Sequence, residues 1–175
     1  MARLSKSDEQ LDFENIAAMF YLRESALRLF YSNINPDYEI QFFGLTPSEI
    51  SANLKLQILE LEYDASLSLL GAIEALFRID YAIRCEQKDK TDISRRFRVL
   101  FSKHQYKLPL EDVIFEQWKK EPLVKPSIMS NLKGAFKYRH WLAHGRYWIH
   151  KSGKYDFDGL YRLAIEVETL PLKRG

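Results

Sequence analysis

Hydrophobic positions recur at helical spacing along most of the chain, and polar breaks divide it into segments. Ile16, Met19, Phe20, Leu27 and Phe30 predict a first helix over Asp12–Tyr31, broken at Asn33–Asp37 around Pro36. Thr46-Pro47-Ser48-Glu49 is a helix start: a capping residue, a proline in the first turn, then an acid. The run that follows has no proline until past Glu86, and Gly71 is its one weak point. Its second half, Leu67 to Ile83, is apolar nearly all round, as a central helix with neighbours on several sides must be. Glu74 and Arg78 lie four apart and share a face, either as a surface ion pair or as a polar strip facing a cleft.

After a polar turn at Gln87–Thr91, a basic helix is expected over Asp92–Lys103, and Leu108–Asp112 leads into a short helix ending at Lys120. Pro122 and Pro126 mark the next loop. Ser127–His144 reads as a helix with Ile128, Leu132, Phe136 and Leu142 as its apolar stripe, and Gly145 stands where a terminating glycine belongs. Tyr147–His150 and Tyr155–Phe157 flank Lys-Ser-Gly-Lys in the manner of a short hairpin. Asp158 is placed to cap a last helix over Gly159–Thr169, before Pro171. The expected class is mostly α: an up-and-down bundle of about five or six helices, with a short β-hairpin near 147–157.

A chain of 175 residues is one domain's worth, here read as a single domain over 1–175. It can bury roughly 70% of its unfolded surface, so it needs neither disulfide nor metal to fold. Cys85 is the single cysteine, which fits a reducing compartment, and reads as a packed helix residue. The first ten residues lack the apolar core of a signal peptide, and Glu74, Arg78 and Asp80 interrupt the longest apolar stretch. A cytoplasmic protein with no membrane span is expected. The net charge is only +2, yet it is unevenly spread. Asp8 to Glu62 holds ten acids against three bases, whereas Pro122 to Tyr155 holds seven bases and no acid. His140, His144 and His150 lie in that basic stretch, which as a surface would concentrate polyanions.

The segment Arg139-His140-Trp141-Leu142-Ala143-His144 carries the candidate chemistry. His140 and His144 are four apart and share a helical face, in the last turn, where the helix end favours a protonated imidazole. Arg139 lies about 140° around the helix from His144. Three readings are open. Two histidines at this spacing can bind zinc, but the glutamate of the metalloprotease motif is replaced by Trp141 and no cysteine assists, so no metal is expected. The histidines can be structural, packed among Tyr138, Trp141 and Trp148. Or Arg with His can cleave an RNA phosphodiester without metal, His moving the proton and Arg holding the charge that develops on phosphorus oxygens.

The segment resembles the signature of the HEPN superfamily: an arginine, often a polar residue directly after it, and a histidine about five positions on. Arg139, His140 and His144 occupy those places, on a late helix followed by glycine in an all-helical chain. Many members of that superfamily are metal-independent RNases of toxin–antitoxin, phage-defence and CRISPR systems. The resemblance therefore implies an endoribonuclease that needs no cofactor and acts as a toxin or defence effector. RNA would be its substrate, and an antitoxin or other regulatory protein would hold it silent. It further implies a homodimer whose two-fold cleft joins both motifs, with an acid on an earlier helix orienting the arginine. Glu74 is the candidate for that acid, with Asp80 behind it. Within this reading His144 is the general acid or base, Arg139 stabilises the transition state, and His140 assists or binds phosphate. Lys133, Lys137, Arg146 and Lys151 would bind the RNA backbone. One departure stands out: where a toxin subgroup carries a tyrosine two residues after the histidine, this chain has Arg146, with Tyr147 one later. The alternative function is a catalytically inactive HEPN-like module that binds RNA or a nucleotide, or scaffolds a complex.

Overall fold

The computed structural model describes residues 11–87, 89–150 and 155–174. Among them the chain is helical and has no strand. The elements are α1 (Phe13–Phe30), α2 (Tyr38–Gln41), α3 (Pro47–Glu86), α4 (Asp92–His104), α5 (Phe115–Trp118), α6 (Pro126–Ala143) and α7 (Phe157–Glu168). A π-helical turn, Leu110–Ile114, leads into α5. The bundle is made by the five long helices, α1, α3, α4, α6 and α7, and α3 packs against the other four. None of the described helices is long and apolar enough to cross a membrane.

Local signals set the helix ends. The Asp12 carboxylate accepts the Glu14 and Asn15 amides at the start of α1. Thr46 and Glu49 form a reciprocal capping box, the Glu49 carboxylate accepting the Thr46 amide at 2.7 Å. Forty residues of α3 then run unbroken through Gly71, about 60 Å of helix. The last helix is capped by Asp156, which accepts the Gly159 amide at 2.7 Å, and not by Asp158. Asp158 lies in the first turn of α7 and accepts the Tyr21 hydroxyl instead, so α7 starts two residues earlier than the sequence suggests.

The second half of α3 is the axis of the core. Leu69, Leu70, Ile73, Phe77 and Tyr81 are buried there, and so is Cys85. Phe77 meets Phe115 at 4.9 Å, and Phe115 meets Phe136 at 5.3 Å, so one aromatic chain spans α3, α5 and α6. Aromatic pairs of this kind fix spacing as well as burying area. Ile128, Leu132 and Phe136 of the expected α6 stripe are buried. The expected α1 stripe is only half right: Phe20 is buried and Ile16 and Leu27 are half-buried, whereas Met19 and Phe30 are exposed and Phe13 and Ala17 are buried instead. The reason is that α1 leaves the core after Phe20 and continues beside the first half of α3. There Leu29, Ile34, Ile40, Phe43 and Leu56 stay exposed, and a knot of Phe30, Tyr31, Tyr38 and Phe42 ties the end together.

The hairpin near 147–157 is corrected as far as the described residues go. Tyr147–His150 and Tyr155 form no strand, and Lys151–Lys154 lie outside the described residues. Side chains, not a backbone ladder, hold this segment. The Trp141 indole donates to the Trp148 carbonyl at 2.6 Å, Tyr155 stacks on Tyr138, and His150 meets both Tyr138 and Trp141.

Candidate functional site

The end of α6 is shaped by its sequence. Gly145 follows the helix at φ +77°, a backbone conformation glycine adopts without cost. The Arg146 amide donates to the Trp141 carbonyl and the Gly145 amide to the Leu142 carbonyl, the paired bonds of a Schellman turn. Arg146 itself has a positive φ of 58°, and its side chain is anchored on α3. The guanidinium donates to Glu60 at 2.7 Å and lies 4.7 Å above the Tyr63 ring. The chain therefore leaves α6 on a fixed course, and Tyr147 and Trp148 return beside the last helical turn.

His140 and His144 sit on that turn, both exposed, with ring centroids 4.2 Å apart and planes inclined by 52°. Trp148 lies 5.8 Å from His140. Arg139, one position earlier and about 100° around the helix, faces α3 instead. Its Nη2 is 3.0 Å from Glu74 Oε2, and its guanidinium lies 5.8 Å from the Phe136 ring. The aromatic chain explains the meeting. Glu74 is one turn from Phe77 and Arg139 is one turn from Phe136, so the contact that packs α3 with α6 also brings carboxylate to guanidinium.

Glu74 serves two arginines. Its other oxygen accepts Arg78 Nε at 2.6 Å, and Arg78 in turn donates to the Leu108 carbonyl. The pair read from the sequence is thus neither a plain surface pair nor a free strip; it is the support on which Arg139 rests. Asp80 does not share this role. It is fully buried on another side of α3, paired with Arg84 at 2.6 Å and accepting the Lys173 amide at 2.8 Å. Arg139 Nε is buried and meets no acceptor among the described residues. The side chain as a whole is 34% exposed, and the open edge of its guanidinium suits a phosphate oxygen.

Within one chain Arg139 and the imidazole pair occupy neighbouring sides of α6, and no hydrogen bond or ion pair among the described residues joins them. The basic stretch is also less basic in space than in sequence. Lys133 pairs with Glu116, Arg139 with Glu74 and Arg146 with Glu60. Of the backbone-binding candidates, Lys137 stands exposed, Lys133 and Arg146 are held by acids, and Lys151 lies outside the described residues.

Glu111, on the π-helical turn, is a residue the sequence did not single out. Burial and the neighbouring Asp112 push its carboxyl upward, while His140, Lys137 and Lys133, within electrostatic reach on α6, pull it down. Twenty-nine positions separate it from His140, and no local pattern marks the pairing. Irregular π-helical turns are common where a side chain must be re-aimed at a site. Among the described residues no three His, Cys, Asp or Glu side chains are grouped as a metal ion requires.

Comparison of the chain with protein-family models, with curated proteins and with solved structures finds no match.

Proposed function

We propose that this chain is a metal-independent endoribonuclease of the HEPN type, a toxin or defence effector, with Arg139, His140 and His144 as its reactive groups. The observation that carries the reading is the end of α6. An exposed pair of imidazoles 4.2 Å apart stands beside an arginine that is held by Glu74 and keeps a donor unused. Two neighbouring imidazoles can serve as base and acid in one displacement. One takes the proton of the RNA 2′-hydroxyl, whose oxygen attacks the adjacent phosphorus. The bond from phosphorus to the 5′-oxygen breaks, and the second imidazole protonates that oxygen. Arg139 binds a non-bridging oxygen as its charge grows. The products are a 2′,3′-cyclic phosphate and a 5′-hydroxyl.

Arg139 and the imidazoles open onto adjacent sides of α6, and a second copy across a two-fold axis would let the groups of two chains meet on one phosphate. A cellular RNA is the substrate, and a regulatory protein keeps the enzyme silent until needed. The test is incubation of wild type and His144→Ala with total RNA in EDTA, followed by mass spectrometry of the fragment ends. Cleavage by wild type alone, leaving cyclic phosphate, supports the reading; a 5′-phosphate end defeats the mechanism. Arg139 pairs with Glu74 and no bond among the described residues joins it to the imidazoles, which favours a second reading, an RNA- or nucleotide-binding module without turnover. RNA binding that survives His144→Ala, with no cleavage by wild type, selects it.

A further inference from the structure

The two residues after Arg146 have no part in the mechanism above, yet they stand next to it. Tyr147 is 83% exposed, unusually open for a residue of its size in a folded segment. Its ring meets Trp148 edge to face at 4.6 Å and 77°, and most of its surface is left to solvent. Trp148 is half-buried and adjoins His140 at 5.8 Å. Neither ring is loosely held at its backbone. The Trp148 carbonyl accepts the Trp141 indole, and the preceding turn is clamped through Arg146 to Glu60 and Tyr63. An exposed and a half-buried aromatic ring on a fixed backbone, beside the histidine pair, match the chemistry of nucleobase stacking on protein rings.

We infer that Tyr147 and Trp148 form a binding subsite for one unpaired nucleobase, the base of the nucleotide whose phosphate faces His140 and His144. The distance from the Trp148 ring to His140 is within the length of one nucleotide, so a base on the aromatic pair sets its own phosphate before the imidazoles. The subsite takes any base with an accessible face and rejects a base kept inside a duplex stack. Its position at the reacting phosphate rests on the endoribonuclease reading; its ability to bind a base does not.

The test uses a fluorescein-labelled eight-nucleotide RNA with 2′-O-methyl groups throughout, which cannot be cleaved, and fluorescence anisotropy as the readout. Trp148→Ala is expected to weaken binding about tenfold, Tyr147→Ala by less, and Trp148→Phe to restore most of the affinity. Walking one abasic position along the strand should cost wild type about as much as Trp148→Ala does, and cost that variant nothing further. Thermal midpoints of all three variants check that each is folded. Equal binding of the strand by wild type and Trp148→Ala, or an abasic strand bound as tightly as the intact one, overturns the subsite. Competition by a free nucleoside monophosphate as strong as by the strand overturns its place in RNA and assigns it to a free nucleotide. Cleavage of unmodified RNA, measured in parallel, separates the two ideas. Cleavage with unchanged binding by Trp148→Ala defeats the subsite and spares the nuclease. Ring-dependent binding without cleavage does the reverse.

Discussion

Two carboxylates of α3, Asp80 and Glu74, hold Arg84 and Arg139, and the two pairs are put to different ends. Arg84 donates Nε to Asp80 at 2.6 Å, Nη1 toward Ser94 and Thr91, and Nη2 to the Pro171 carbonyl, and its guanidinium lies 5.1 Å from the Trp118 ring. The side chains of this pair are 6% and 0% exposed. Every edge of the guanidinium is spent on the protein, and the C-terminal segment is tied down in the process. Arg139 meets Glu74 through one nitrogen only, remains 34% exposed, and keeps a buried donor without an acceptor. The same two functional groups thus make a fold clamp in one place and a ligand-ready group in the other. What separates them is exposure: the Arg139 guanidinium keeps an edge open to solvent where an anion can reach it, and the Arg84 guanidinium does not.

The comparison can be broken most decisively at the ready end. His144→Ala is expected to lower RNA cleavage by about 10²- to 10⁴-fold, the usual worth of a general acid or base, with little change in melting temperature. A variant that cleaves normally would remove the α6 end from the chemistry. At the clamp the effect should fall on stability instead. Arg84→Ala strands the Asp80 carboxylate in the core and should cost about 3–5 kcal/mol in urea unfolding. If that variant unfolds at the wild-type urea concentration, the clamp is not one.

Between these extremes lies the support of Arg139. Glu74→Gln should reduce cleavage about tenfold, as expected when the ion pair that positions the arginine is lost. Its stability cost should be about 1 kcal/mol or less, since both partners are partly exposed. Loss of stability without loss of activity would make Glu74 a second clamp. The smallest effect is alkaline. Burial pushes the Cys85 thiol, next to Arg84, up to about 11, and a hydrogen bond to Asp158 together with burial raises the Tyr21 hydroxyl to about 12. Both folded values lie above the ordinary ones of 9.0 and 10.0. Their stabilisation is therefore complete below pH 9 and is lost as pH rises toward 11 and 12. Melting temperatures at pH 8 and pH 11 should differ less in Cys85→Ala than in wild type; an equal difference would mean the thiol is not shielded beside the clamp.

Much of the architecture was legible one residue at a time. The Thr46–Glu49 box, the proline in the first turn of α3, the apolar girth of Leu67–Ile83 and Gly145 after α6 all act through neighbours a turn away, so sequence spacing alone placed the helices near their true ends. The same locality explains the misses. Asp158 has the cap chemistry that Asp156 actually performs, because two acids so close compete for one role and only the course of the chain chooses. Met19 and Phe30 have helical spacing, but burial depends on how far a neighbouring helix follows α1.

The histidine pair was likewise a matter of sequence, since residues four apart on a helix must share a face. What surrounds it was decided by tertiary structure. Packing of α3 on α6 through Phe77, Phe115 and Phe136 put Glu74 on Arg139 and left Asp80 to Arg84. The acids Glu60 and Glu116 reached into a stretch that contains none of its own, and Glu111 came within electrostatic reach of His140 across twenty-nine positions. The physical reason is range. Capping and helical periodicity are local backbone effects written in consecutive residues, whereas the partner of a charged side chain is whichever opposite charge packing delivers to it.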